Sequence, residues 1–279
     1  MGTLKLRRRR TAVAAGLATL AIAAGLAAAP AQAVDKTKYI ALGDSYAAGQ
    51  GAEPYKNDTC YRSENTYSEL AADTKAIKLI KNAACSGDTT QEVVATQLRQ
   101  LNKTTELVTI TAGGNNLGFG DIVTNCGSAD PALAAACAQA SAAASALLGS
   151  GQLAADVAAM IQSVQAAAPN AKIVVTGYPY LFDPFNLDPG HPMTPFILQA
   201  TALANELNRN IADAVRDTDT EATEIEYVDV RAAFAGHGII SDDPWINGAT
   251  GTADSFHPNA EGYVAYYKAL SKEEVYSAR

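Results

Sequence analysis

The stretch YIALGDSYAAGQG, residues 39–51, carries an apolar run into Gly43-Asp44-Ser45 and on into small residues. Gly, Asp and Ser all favour turns for local backbone reasons. A serine with so little bulk around it is also open to an approaching substrate. Its hydroxyl is barely ionised at neutral pH and attacks only with a base in hydrogen-bond reach. DSFHP, residues 254–258, offers that base. In a turn, the Asp254 carboxylate can take one ring N–H of His257 and leave the other ring nitrogen free for the serine proton. Acyl transfer also needs donors aimed at the developing oxyanion. Gly87 in CSGDTT exposes a backbone N–H, Asn115 in TAGGNN offers an amide, and the N–H of Ser45 is a third donor. Taken singly, each residue also has a plain reading as a turn, a cap or a loop glycine.

Other chemistries fit less well. His191 in DPGHPM and His237 in AGHGII have no carboxylate at the Asp254–His257 spacing and read as loop or surface residues, although either could line a cleft. Neither glycine cluster forms a P-loop, and Gly49-Gln50-Gly51 is followed by Pro54 where a dinucleotide fingerprint wants glycine. The pattern GxSxG is absent, which argues against the α/β-hydrolase elbow. There is no CxxC pair and no close histidine pattern, so no metal and no cofactor are expected.

The elements that must position these residues alternate. Short apolar runs at 38–42, 77–82, 107–111, 173–176 and 225–230 read as buried strands. Helical spacing or propensity covers 66–74, 89–101, 131–148, 153–168, 195–216 and 259–270. A Pro-rich stretch, 178–195, reads as a long loop. Strands alternating with helices imply one three-layer α/β/α domain with a parallel sheet. In such a sheet ligands bind beyond the carboxyl ends of the strands. The segments after the first three strands hold Ser45, Gly87 and Asn115, and Asp254 with His257 can fold back to the same edge. That convergence is the strongest reading the residues carry by themselves.

Residues 1–33 read as a cleaved secretory signal peptide. Lys5 and Arg7 to Arg10 precede an almost purely apolar stretch, and Ala31-Gln32-Ala33 is a small-x-small exit. The apolar core is short for a membrane span, so an extracellular protein without a stable membrane anchor is expected. The working domain is then 34–279. Five of the 21 Lys and Arg and none of the 29 Asp and Glu lie in the leader, so the remainder is more acidic than the overall −8. Such a surface argues against nucleic acid as partner. Four cysteines in an exported chain imply two disulfides, and the pairing with the shortest loops is Cys60–Cys85 with Cys126–Cys137.

GDS near the mature start, the glycine of SGDTT, GGNN and DSFHP occur in one order across nearly the whole mature chain. Together they resemble the four blocks of the SGNH, or GDSL-type, hydrolases, with most similarity to secreted actinomycete lipases, esterases and phospholipases. The resemblance implies a flavodoxin-like five-stranded parallel sheet of order 2-1-3-4-5. It implies Ser45 as nucleophile, His257 as base, and Ser45, Gly87 and Asn115 as the oxyanion hole. Some members of the family orient the histidine with a backbone carbonyl, but the presence of Asp254 makes it the simpler choice for the group that orients His257. The reaction it implies is hydrolysis of a carboxylic ester through an acyl-serine, with a small-molecule or lipid ester as substrate and a monomer as the working unit. Tyr46, Tyr178, Tyr180, Leu181, Phe182, Phe185 and Phe196 could form an acyl-binding wall, although each also reads as ordinary packing. A sugar acetyl esterase and an acyltransferase share the scaffold. A secreted binding protein with an inactive hydrolase fold is the non-enzymatic alternative, and the intact set of site residues argues against it.

Overall fold

The computed structural model describes residues 35–126, 130–185, 187–190, 192–220 and 224–277. The expected leader, 1–33, and His191 lie outside the described residues. The first strand, β1 (Thr37–Gly43), is buried at every position except Lys38. It leads through α1 (Ser45–Ala48) to a small hairpin, β2 (Tyr55–Asn57) and β3 (Arg62–Ser63), then to α2 (Tyr67–Ala72) and β4 (Ile77–Asn82). Next come α3 (Thr90–Glu92), a π-helical turn at Val93–Gln97, a 3-10 turn at Leu98–Gln100, and β5 (Leu107–Thr111). The chain continues through α4 (Phe119–Cys126), α5 (Ala134–Gly149), α6 (Gln152–Ala167), β6 (Lys172–Thr176), α7 (Thr194–Thr218), β7 (Ile225–Val228) and α8 (Ala260–Lys272).

Five of the strands form a parallel sheet in the order β4-β1-β5-β6-β7. Numbered within the sheet, that order is the flavodoxin-like 2-1-3-4-5. Central β5 is buried throughout and rich in β-branched residues, as a strand covered on both faces must be. Edge strand β4 instead carries Lys78 and Lys81, charges that discourage pairing with another chain. α2 packs on α8, and α6 on α7, which gives the helical layers. Tyr39, Tyr67, Tyr263 and Tyr266 are fully buried, and several spend their hydroxyls on the sheet: Tyr39 bonds Thr109, and Tyr67 bonds Thr111.

All strands of the sheet run the same way, so the ends of β1, β4, β5 and β6 share one edge. There the chain turns into Ser45, Gly87, Asn115 and Tyr178 respectively. Cys60–Cys85 joins the hairpin to the segment after β4, and Cys126–Cys137 joins α4 to α5. α5 is apolar along its length, yet its side chains are mostly alanine and it buries Ser141, Ala144 and Leu148 in the protein.

Candidate active site

β1 ends at Gly43, whose φ is +128°, and a Cβ there would lie 2.1 Å from the Thr111 carbonyl oxygen. Only glycine lets the strand turn sharply beside its neighbour. Asp44 caps the following turn, taking the N–H of Tyr46 at 3.0 Å, and Ser45 comes next. His257 Nε2 lies 2.8 Å from Ser45 Oγ across 212 residues of sequence. Its Nδ1 lies 2.9 Å from the backbone carbonyl of Ser255, which can only accept, so Nδ1 carries the proton and Nε2 is free to receive one.

The histidine turn is tightly held. Phe256 has a φ of +64°, a left-handed conformation that a bulky residue adopts only under constraint. The constraint is visible: Phe256 N–H donates to Asn247 O at 2.9 Å, Asn247 N–H donates to His257 O at 2.9 Å, and the Tyr46 hydroxyl donates to Phe256 O at 2.7 Å. Gly51 is packed against the same turn, where a Cβ would fall 2.8 Å from His257 Cβ.

The expected role of Asp254 is corrected here. Its carboxylate does not receive the His257 N–H. The twist at Phe256 aims Nδ1 at the Ser255 carbonyl, and Asp254 Oδ1 instead accepts the Tyr55 hydroxyl at 2.5 Å. That hydroxyl in turn accepts the N–H of Gly51 at 2.8 Å. Asp254 therefore ties the histidine loop to the β2–β3 hairpin, while a main-chain carbonyl orients the ring.

Gly87 has a φ of +85° and nothing within 4 Å of where its Cβ would sit, so the side of the residue that would carry a side chain is open, and the residue lines the groove beside Ser45. Asn115 Nδ2 donates to Asp88 O at 3.0 Å, which fixes the amide beside that glycine and leaves its second N–H for another acceptor. Two glutamines that the sequence reading did not single out hold these loops in place. Gln97 makes a two-way pair with the backbone of Gly43, both bonds 2.8 Å, and also donates to Asp88 Oδ2 at 2.8 Å. Gln50, 3% exposed, accepts the Ser86 hydroxyl at 2.5 Å and donates to Ala253 O. The Ser45, Gly87 and His257 loops are thus cross-braced by buried amides.

Ser45 and Asn115 stand between two spaces. On one side is an apolar cavity lined by Tyr178, Leu181, Phe182 and Phe196, with Ile122 and Leu203 from α4 and α7. Tyr46 and Tyr180 line it as well, whereas Phe185 does not and is 70% exposed. On the other side is a groove of mixed lining, where Ser86, Gly87, Thr252, Ser255 and His257 stand with Phe119, Val123 and Phe256. His237 lies apart from both, stacked on Trp245 with ring centroids 3.4 Å apart.

Burial sets the electrostatics. Removal from water pushes the His257 imidazole down to about 4, which the hydrogen bond to the Ser255 carbonyl and the Asp254 charge only partly oppose. Desolvation likewise raises the Asp44 carboxyl to about 7, against the hydrogen bonds from Tyr178 and Tyr46. A neutral imidazole in contact with a hydroxyl, beside donors at a glycine and an amide, is equipped for proton transfer during attack on a carbonyl.

A flavodoxin-like sheet that delivers a serine–histidine pair to the lip of an apolar cavity defines an α/β/α carboxylic ester hydrolase. The chain belongs to the GDSL-like Lipase/Acylhydrolase family, whose model matches residues 41–265. It is 33% identical over 264 residues to a lipase of Streptomyces rimosus, covering 93% of this chain and 95% of that one. It is 32% identical to Lipase 1 of Streptomyces coelicolor, covering 93% and 97%. The crystal structure of phospholipase A1 from Streptomyces albidoflavus NA297 superimposes with a TM-score of 0.76 at 32% identity, over 85% of this chain and 99% of that one.

Proposed function

We propose that the chain hydrolyses carboxylic esters of lipids through an acyl-serine intermediate. Ser45 attacks the ester carbonyl while His257 Nε2 takes its proton. The N–H groups of Ser45 and Gly87 and the Asn115 amide receive the oxyanion. His257 then protonates the leaving alcohol, and water releases the acid by the same route in reverse. The Ser255 carbonyl keeps the ring in register, and no metal or cofactor enters a step. The observation that carries the reading is the 2.8 Å contact between Ser45 Oγ and His257 Nε2 at the junction of an apolar cavity with a groove of mixed lining. The cavity suits an acyl chain and the groove an alcohol. The names of the relatives, lipase and phospholipase A1, agree with a lipid substrate. The working protein is a secreted monomeric domain, 34–279, released from the leader 1–33; the relative from Streptomyces rimosus is described as extracellular.

Hydrolysis of p-nitrophenyl esters from acetate to palmitate, with wild type and Ser45→Ala in excess chelator, tests this. Serine-dependent rates that rise with chain length are expected. A maximum at acetate points to a carbohydrate esterase, and activity that survives Ser45→Ala or is lost to the chelator contradicts the mechanism.

Two further outcomes follow from the histidine geometry. Asp254→Asn is expected to keep kcat within about tenfold of wild type, because the carboxylate holds Tyr55 and not the imidazole. A loss near the ~10⁴-fold seen when an orienting aspartate is neutralised would restore Asp254 to that role. The second outcome concerns pH. The base works as neutral imidazole, so His257 itself should place no acid limb at the ordinary histidine value of about 6.5 and should cost activity only as the pH approaches about 4. An acid limb near 6.5 that persists in Asp44→Asn, where the carboxyl raised to about 7 is gone, contradicts this. The unfolded chain binds the proton first as pH drops. The stability contribution of His257 is therefore present above about 6.5 and lost as pH falls through about 4.

A further inference from the structure

Asp44 is 1% exposed, and the ester chemistry leaves it unused. A buried carboxyl is costly unless its oxygens are bonded. Its Oδ1 takes the Tyr46 N–H at 3.0 Å, and its Oδ2 takes the Tyr178 hydroxyl at 2.5 Å. Tyr178 does not stop there. The same hydroxyl accepts the Gly114 N–H at 3.0 Å. Asp44 immediately precedes Ser45, and Gly114 immediately precedes Asn115. One oxygen atom thus spans the two loops that carry the nucleophile and the side-chain oxyanion donor.

The tyrosine is itself anchored. Its N–H donates to Asn208 Oδ1 at 2.8 Å, and Asn208 Nδ2 donates back to its carbonyl at 3.0 Å. Asn208 is fully buried on α7, so the anchor comes from a helix rather than from either loop. The ring lies against Gly114, where a Cβ would come 3.3 Å from Tyr178 Cζ, and packs edge-on to Tyr46 with centroids 5.2 Å apart. A buried tyrosine hydroxyl needs only one partner. This one has two, on different loops.

We propose that Tyr178 is a positioning residue for ester hydrolysis: its hydroxyl, latched between Asp44 and the Gly114 N–H, sets the distance between the Ser45 turn and the Asn115 amide. The proposal rests on the functional reading above. A fixed spacing matters most when the carbonyl becomes tetrahedral, because oxyanion donors act on the geometry of that state and not on the bound ester. Tyr178→Phe keeps the ring that lines the cavity and removes only the latch. It should therefore lower kcat by roughly 10- to 100-fold and leave KM for a long-chain ester within about threefold, since a small misplacement of reacting groups costs on that scale.

The deciding comparison is a mutant cycle. If Tyr178 acts through Asn115, Tyr178→Phe in an Asn115→Ala background should cost less than about threefold more, because groups acting as one unit are not additive. A packing role alone would multiply the two losses. The enzymes to compare are wild type, Ser45→Ala, Tyr178→Phe, Asn115→Ala and the double variant, each checked for cooperative thermal unfolding. Asp44→Asn replaces Tyr178→Phe if the latter does not fold. It keeps the side-chain volume while exchanging one acceptor oxygen for an amide, and the same kcat loss and the same non-additivity are expected. A Tyr178→Phe enzyme with wild-type kcat, a loss expressed in KM alone, or a fully multiplicative double variant overturns the latch. Activity that survives Ser45→Ala overturns the functional reading and the latch with it, and that outcome is recognised before Tyr178 is considered.

Discussion

Ser45→Ala is expected to lower kcat by about 10⁴- to 10⁶-fold, and adding His257→Ala to take almost nothing more. The two side chains meet at 2.8 Å, and in the proposed mechanism they act as one proton-transfer unit, so removing either would leave the other without a function. Residual hydrolysis over the uncatalysed rate should persist in both, because the glycine and amide donors and the apolar cavity are untouched. Ser45 is 6% exposed and His257 is 8% exposed, and neither contributes a large apolar area to the core. Unfolding temperatures near wild type are therefore expected for Ser45→Ala. A double variant much slower than both single variants would mean that the residues act independently, which the shared hydrogen bond does not allow.

Asn115→Ala should cost about 10²- to 10³-fold in kcat with little change in KM, the usual cost of removing one preorganised oxyanion donor. In the proposed role Asn115 would not have to rotate to meet the oxyanion. Its amide is already held by Asp88 O at 3.0 Å, and Asp88 is held by Gln97, which also grips Gly43 at the foot of the nucleophile turn. The donor is thus fixed relative to Ser45 before substrate arrives, which is what makes such a group effective. A steady-state series with a single long-chain ester separates the two parameters. An effect confined to KM would make Asn115 part of the substrate wall and remove it from the oxyanion site.

Much of this site is legible in the sequence because its blocks sit where strands end. The strands at 77–82 and 107–111 coincide with β4 and β5, and β1 is read one residue short at each end. Parallel order then brings Ser45, Gly87 and Asn115 to one edge without further assumptions. α4 has no counterpart among the elements expected from the sequence: it is eight residues long and carries Gly120 inside it. In the structure Gly118 supplies a left-handed turn just before the helix, which then lines the cavity with Phe119, Ile122 and Val123. The β2–β3 hairpin has strands of only three and two residues, too short for any alternation to register. Gln50 and Gln97 look like polar filler because their partners are distant in sequence.

Asp254 shows the limit differently. Asp-x-x-His spacing permits a carboxylate–imidazole bond, and the aspartate is present. Every residue carries a carbonyl, however, so a main-chain partner for the ring leaves no mark in the sequence. The competing bond from Tyr55, 199 residues away, and the left-handed backbone at Phe256 decide the matter, and both are properties of the fold.

The most direct test of the central claim is covalent trapping. A p-nitrophenyl phosphonate ester is incubated with wild type, Ser45→Ala and His257→Ala, followed by intact mass and peptide mapping. A single adduct on Ser45 is expected in wild type, none in Ser45→Ala, and much slower labelling in His257→Ala, in parallel with the loss of ester hydrolysis. An adduct on another residue, or full ester hydrolysis by protein that carries none on Ser45, would contradict the account.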